Sequence, residues 1–167
     1  GRFLSRQWQW VDEIDTNAWT TSQKGQFLAF LPFISDTWKR VPQLLREDES
    51  PYWSKTNVNP DGGDQNLEMA IDRLIEHGRA HEAILCFEQM RYKKRRLNSR
   101  QAVRVLQAML HSSDDLKKMD AHAVVEVIKA LQDDMSTNQD DLSQIEFAFL
   151  PLLDGHLGTS PKLLEQR

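Results

Sequence analysis

At 167 residues, with 40% hydrophobic and 28% charged side chains and a formal net charge of −4, the chain is long enough to bury a real core as one domain. No apolar run approaches the ~20 residues a helix needs to cross a bilayer, which excludes a helical membrane span, and a single cysteine, Cys86, excludes an internal disulfide. With no secretory pattern at its start, a reducing cytoplasm is the expected setting.

Residues 3 to 14 predict a helix with Leu4, Trp8, Val11 and Ile14 inward and Trp10 off that stripe. Ser22 is placed as the N-cap of a helix reaching Leu31, where Pro32 discourages continuation. Ser35 or Asp36 is expected to cap the next, carrying Trp38, Val41, Leu44 and Leu45, with Pro42 either kinking it or starting another. Ten of the fourteen aromatic residues fall in the first 53, and such a concentration is either core or, in part, a partner surface. Trp10, Trp19, Tyr52 and Trp53 are the candidates for that surface.

Segment 54–64 is dense in turn residues and reads as the loop dividing an aromatic-rich part, 1–53, from a helical-hairpin part, 65–167. Gly62 and Gly63 are not a phosphate loop, because no strand precedes them and no G-K-[ST] follows. Leu67, Ala70, Ile71, Leu74 and Ile75 form one helical stripe that stops before Gly78, and Ala83, Ile84, Phe87 and Met90 form a second within one turn. So short a connection predicts an antiparallel hairpin. Asn98 or Ser99 then caps a helix with Ala102, Val103, Leu106, Met109 and Leu110 on one side. Asp120 caps another with Val124, Val127, Ile128 and Leu131, a run whose length favours helix over strand. Asn138 caps a third, carrying Leu142, Ile145, Phe149, Leu152 and Leu153, which Pro151 should bend or end and Gly155 should follow. Thr159 or Ser160, with Pro161, starts a last segment. The predicted class is all-α: antiparallel helical hairpins stacked as a superhelix-like or irregular bundle. Because the chain begins Gly1-Arg2-Phe3 and ends as a helix is starting, a fragment of a longer protein is expected.

Gly78, Ala83 and Phe87, in the run G-R-A-H-E-A-I-L-C-F, resemble the turn and second helix of a tetratricopeptide-type unit. Arg95 stands where that family tends to place a proline, and one period of about 34 residues on, Ser112, Lys117 and Ala121 do not repeat the pattern. The resemblance implies a protein-binding scaffold built on one hairpin. The chain is also similar to helical segments of large bacterial proteins of unassigned function, which implies no activity.

Arg91, Lys93, Lys94, Arg95, Arg96, Arg100 and Arg104 form a cationic run with no Asp or Glu between Glu88 and Asp114. A helix end favours cations because they complement its dipole; an acidic protein partner or acidic neighbouring segment, or nucleic acid, would also use such a run. His77 and His81 have the spacing of metal ligands on one helix, but Gly78 between them breaks that helix, so no metal site is expected. No nucleophile elbow, H-E-x-x-H, kinase or dinucleotide signature is present, and no catalytic residue or cofactor is assigned. The expected function is a non-catalytic scaffold or interaction module serving a protein partner or neighbouring domains of the parent chain. The alternatives are a nucleic-acid-associated domain using residues 91–104 and part of an enzyme whose site lies elsewhere.

Overall fold

Helix packs on helix throughout the computed structural model, which describes residues 2–62, 66–112 and 119–153. Among these there are nine α-helices and no strand, so the all-α expectation holds. They are α1 (Arg2–Glu13), α2 (Thr21–Phe30), α3 (Ser35–Leu45), α4 (Ser50–Trp53), α5 (Leu67–Glu76), α6 (Ala80–Tyr92), α7 (Ser99–His111), α8 (Ala121–Asp133) and α9 (Gln139–Leu153), with a 3₁₀ turn at Pro60–Gly62. Gly63, Asp64, Lys117, Gly155 and the segment expected to start at Thr159 lie outside the described residues.

The helix starts are set by local hydrogen bonds. Thr20, not Ser22, caps α2: its hydroxyl accepts from the Gln23 N–H at 3.2 Å, and the Gln23 side chain accepts from the Thr20 N–H at 2.9 Å. Two orphan donors are satisfied reciprocally, which Ser22, inside the first turn, cannot do. α3 starts from Ile34 with no side-chain cap, and the expected caps Ser35 and Asp36 lie in its first turn, where Asp36 complements the dipole. Pro42 starts no new helix; α3 runs on to Leu45 and ends at Arg46, whose N–H donates to the Pro42 carbonyl at 2.9 Å. Asn98, Asp120 and Asn138 cap α7, α8 and α9 as expected. α9 continues through Pro151 as far as Leu153, so it does not end at that proline.

The expected hairpin is α5 and α6. Leu67, Ala70, Ile71 and Leu74 meet Ala83, Ile84, Phe87 and Met90, all buried. Gly78 closes α5 at φ +74°: its N–H donates to the Ile75 carbonyl at 3.0 Å and the Arg79 N–H to that of Leu74 at 2.8 Å, the paired bonds of a Schellman cap. From there each helix rests on the next and on the one after: α5 on α6 and α7, α6 on α7 and α8, α7 on α8 and α9. That ladder is what stacked helical hairpins produce.

The N-terminal part packs α2 on α3 and α4. α2 and α4 approach so closely at Gly25 that a Cβ there would lie 2.4 Å from the Pro51 Cβ, so only glycine fits. Buried side chains form one continuous core from Leu28 in α2 to Leu153 in α9. Arg79 stitches the two parts: its guanidinium donates to the carbonyls of Trp53 (3.2 Å) and Thr56 (2.7 Å) while pairing with Glu82. α1 is held through Arg40, which makes a bidentate bond to Asp12 (2.6 and 2.7 Å) and stacks 4.5 Å over the Trp8 ring.

Candidate functional site

A concave feature lies at the corner between α2 and α3. Leu31 ends α2 with its N–H on the Leu28 carbonyl, Pro32 has no N–H to continue the helix, and the Pro32 carbonyl accepts from the Thr37 hydroxyl at 2.6 Å and the Ile34 N–H at 2.9 Å. This folds residues 31–34 into a tight corner with two faces. Phe33 points inward, edge-on to Trp38 at 4.9 Å and to Trp53 at 6.4 Å. Phe30 points outward and is 90% exposed.

A second segment faces this corner. After α4 the chain is irregular over Thr56–Asn59, with Thr56 buried, so that Lys55, Asn57 and Asn59 stand outward. Together with Gln26, Ala29, Phe30, Leu31, Pro32, Phe33 and Ile34 they line an open groove of about 700 Å³. Its wall is apolar, three primary amides line it, and among the described residues Lys55 is the one charged residue lining it. Among the described residues the lining holds no carboxylate, imidazole, hydroxyl or thiol. A concave apolar wall with a few polar groups at its edge is the form of a binding surface.

Of the aromatic candidates, Trp10 is 61% exposed, and Trp19 is half-buried, edge-on to Phe27 at 5.3 Å. Tyr52 and Trp53 are corrected: they are fully buried, because one-turn α4 is clamped between α2 and the core. The Trp53 indole N–H donates to Glu49 at 2.8 Å. The Tyr52 hydroxyl, the Thr56 hydroxyl and the Trp38 indole N–H are buried together, and burial pushes the Tyr52 phenol up to about 12 against the opposing effect of Thr56 and Trp38.

The cationic run is spread over the end of α6, a loop and two turns of α7, where carboxylates from other elements meet it. Arg91 pairs with Glu126 of α8, which Lys129 also contacts at 2.9 Å. The Lys129 bond first, and then Arg91, hold the Glu126 carboxyl below its usual range against the opposing effect of burial. Arg104 meets Asp72 of α5 at 3.1 Å. Arg96 lies near Asp134, whose carboxyl is held down to about 2, chiefly by its bond from the Ser99 hydroxyl. Arg95 and Arg96 line a cleft of about 540 Å³ that also contains Asp133 and Asp134, and Arg100 lines clefts shared with Asp134 and Asp141. Lys94 takes a left-handed φ of 53° to close α6, and Lys93 is half-buried at its C-cap. Carboxylates from other elements thus stand beside Arg91, Arg95, Arg96, Arg100 and Arg104.

His77 is the C-cap of α5 and His81 lies in α6, and the described residues contain no group of three or more His, Cys, Asp or Glu placed to hold a metal ion. Cys86 is buried in the core, where desolvation pushes its thiol up to about 12 and leaves no thiolate at neutral pH. No described helix is long and apolar enough to cross a membrane. Sequence reasoning missed Phe30 and the Lys55–Asn59 rim. The available signal was the run from Phe27 to Ile34, FLAFLPFI, which has more large apolar side chains than one helical stripe buries. Comparison with protein-family models, with curated proteins and with solved structures finds no match to this chain.

Proposed function

We propose that the chain is a non-catalytic helical interaction module that docks a protein partner, or a neighbouring domain of its parent chain, in the groove between α2 and Lys55–Asn59. The observation that carries this reading is Phe30, 90% exposed at the rim of a formed apolar groove. An exposed aromatic beside a concave apolar wall is the kind of anchor on which interface energy concentrates. Half-buried Leu31 and Ile34 extend the same surface. The tetratricopeptide-like turn at Gly78 is in keeping with a scaffold. The run from Arg91 to Arg104 supports a nucleic-acid role less well, because Arg91 and Arg104 are already paired to carboxylates.

A photo-crosslinking residue placed at position 30 in producing cells tests this directly, with position 147 as control, since Phe147 is 84% exposed on α9. A discrete protein adduct is expected from position 30, absent from 147 and suppressed by Leu31→Asp. An identical adduct pattern from both positions would discard the reading. In parallel, Arg95, Arg96 and Arg100 changed together to Glu should leave nucleic-acid affinity unaltered at low salt; a large salt-sensitive loss would restore the alternative.

A further inference from the structure

Given that docking reading, on which this step rests, we infer that the occupant is an amphipathic helix of a protein partner with a carboxylate beside its apolar stripe, and that Lys55 reads that carboxylate. The groove lies against helix ends and an irregular segment and presents no sheet edge, so an occupant cannot add a strand; apolar side chains of a helix, spaced i, i+3, i+4 and i+7, are what it can take. Its volume of about 700 Å³ is that of a site able to take several apolar side chains.

Charge selects among such helices. The whole chain has 25 Asp and Glu against 21 Lys and Arg, yet among the described residues the groove is lined by one cation and no carboxylate. Among the described residues Lys55 has no carboxylate within ion-pair distance, whereas Lys39 and Lys129 each have one at 3.3 and 2.9 Å. Among the described residues a carboxylate near Lys55 thus gains a partner without displacing one, and a cation there meets a like charge. The carbonyl end of α2 lies on the wall formed by residues 26–34, so the carboxylate belongs on the Lys55 side. Gln26, Asn57 and Asn59 supply amides that can bond polar groups at the edge of an incoming helix.

Two labelled amphipathic peptides with the same leucine stripe, one with Glu and one with Lys beside it, decide the matter by fluorescence anisotropy on the intact chain. The Glu peptide is expected to bind about fivefold more tightly, a preference that shrinks at high salt. Lys55→Glu should reverse the order without abolishing binding. Phe30→Ala should weaken both peptides at least tenfold and leave their ratio unchanged. Equal binding of the two peptides, unaffected by Lys55→Glu but lost with Phe30→Ala, would sink the charge inference and leave the docking reading intact. Failure of both at about millimolar peptide, the weak end of measurable affinity, overturns the helix as occupant, whatever crosslinks form from position 30. Binding of decanoate in place of either peptide would also overturn it.

Discussion

Phe30 and Phe33 are three residues apart and lie in opposite environments, which makes them a controlled pair. Phe33 is buried against Trp38 and Trp53, so Phe33→Ala should cost about 3–5 kcal/mol in urea unfolding through lost contacts and the cavity left behind. Phe30→Ala removes a ring that is 90% exposed and should change stability by less than about 0.5 kcal/mol. A large stability loss at Phe30 would mean that it supports the fold and is not free to serve a partner. Asp134 offers a second test at this scale. Its folded-state value of about 2 lies below the ~3.9 of an unfolded aspartate, so its carboxylate favours folding in full above about pH 4 and loses that effect as pH falls toward 2. The stability gap between the native chain and Asp134→Asn is therefore widest near neutrality and closes on acidification; a gap that widens as pH falls would contradict the assignment.

Helix ends, more than helix interiors, are where this chain spends conformational energy. α5 and α6 finish in the same cap, with Gly78 in the left-handed position of one and Lys94 in that of the other. Only glycine adopts that conformation freely. Gly78→Ala should accordingly destabilise by about 1 kcal/mol and Lys94→Gly should stabilise by about 0.5–1 kcal/mol, both read from urea midpoints. Equal and null effects would mean that the two turns relax at no cost. At Gly25 the constraint is steric: a methyl directed at Pro51 must push α2 from α4, with a cost of about 1–3 kcal/mol. The same contrast explains what was legible in the sequence. The α5–α6 hairpin could be read because its stripes keep helical period and Gly78 marks the turn. The starts of α2 and α3 could not, because capping depends on which side chain reaches the orphan N–H groups: Thr20 does so through Gln23, and no side chain does so at Ile34.

For the whole molecule, one core joins an N-terminal group of helices to a ladder running from α5 to α9, and Arg79 ties the two across the loop. All-α architecture followed from helical periodicity in α5 and α7 and from the length of the apolar run in α8. The sites did not. Tyr52 and Trp53 look identical to surface aromatics in one dimension, and only the packing of α4 between α2 and the core shows them buried. The cationic run looks uncompensated because Glu126, Asp72 and Asp134 reach it from distant positions in the chain. The groove is assembled from residues 26–34 and 55–59, two segments that no local pattern connects. The central claim, that this groove is the docking face, is tested most directly by following backbone amide resonances of the intact chain as the Glu-bearing amphipathic peptide is added. Shifts concentrated at Ala29–Ile34 and Lys55–Asn59, with Arg91–Arg104 unmoved, are the predicted result; shifts centred on Arg91–Arg104 with the groove unmoved would contradict it.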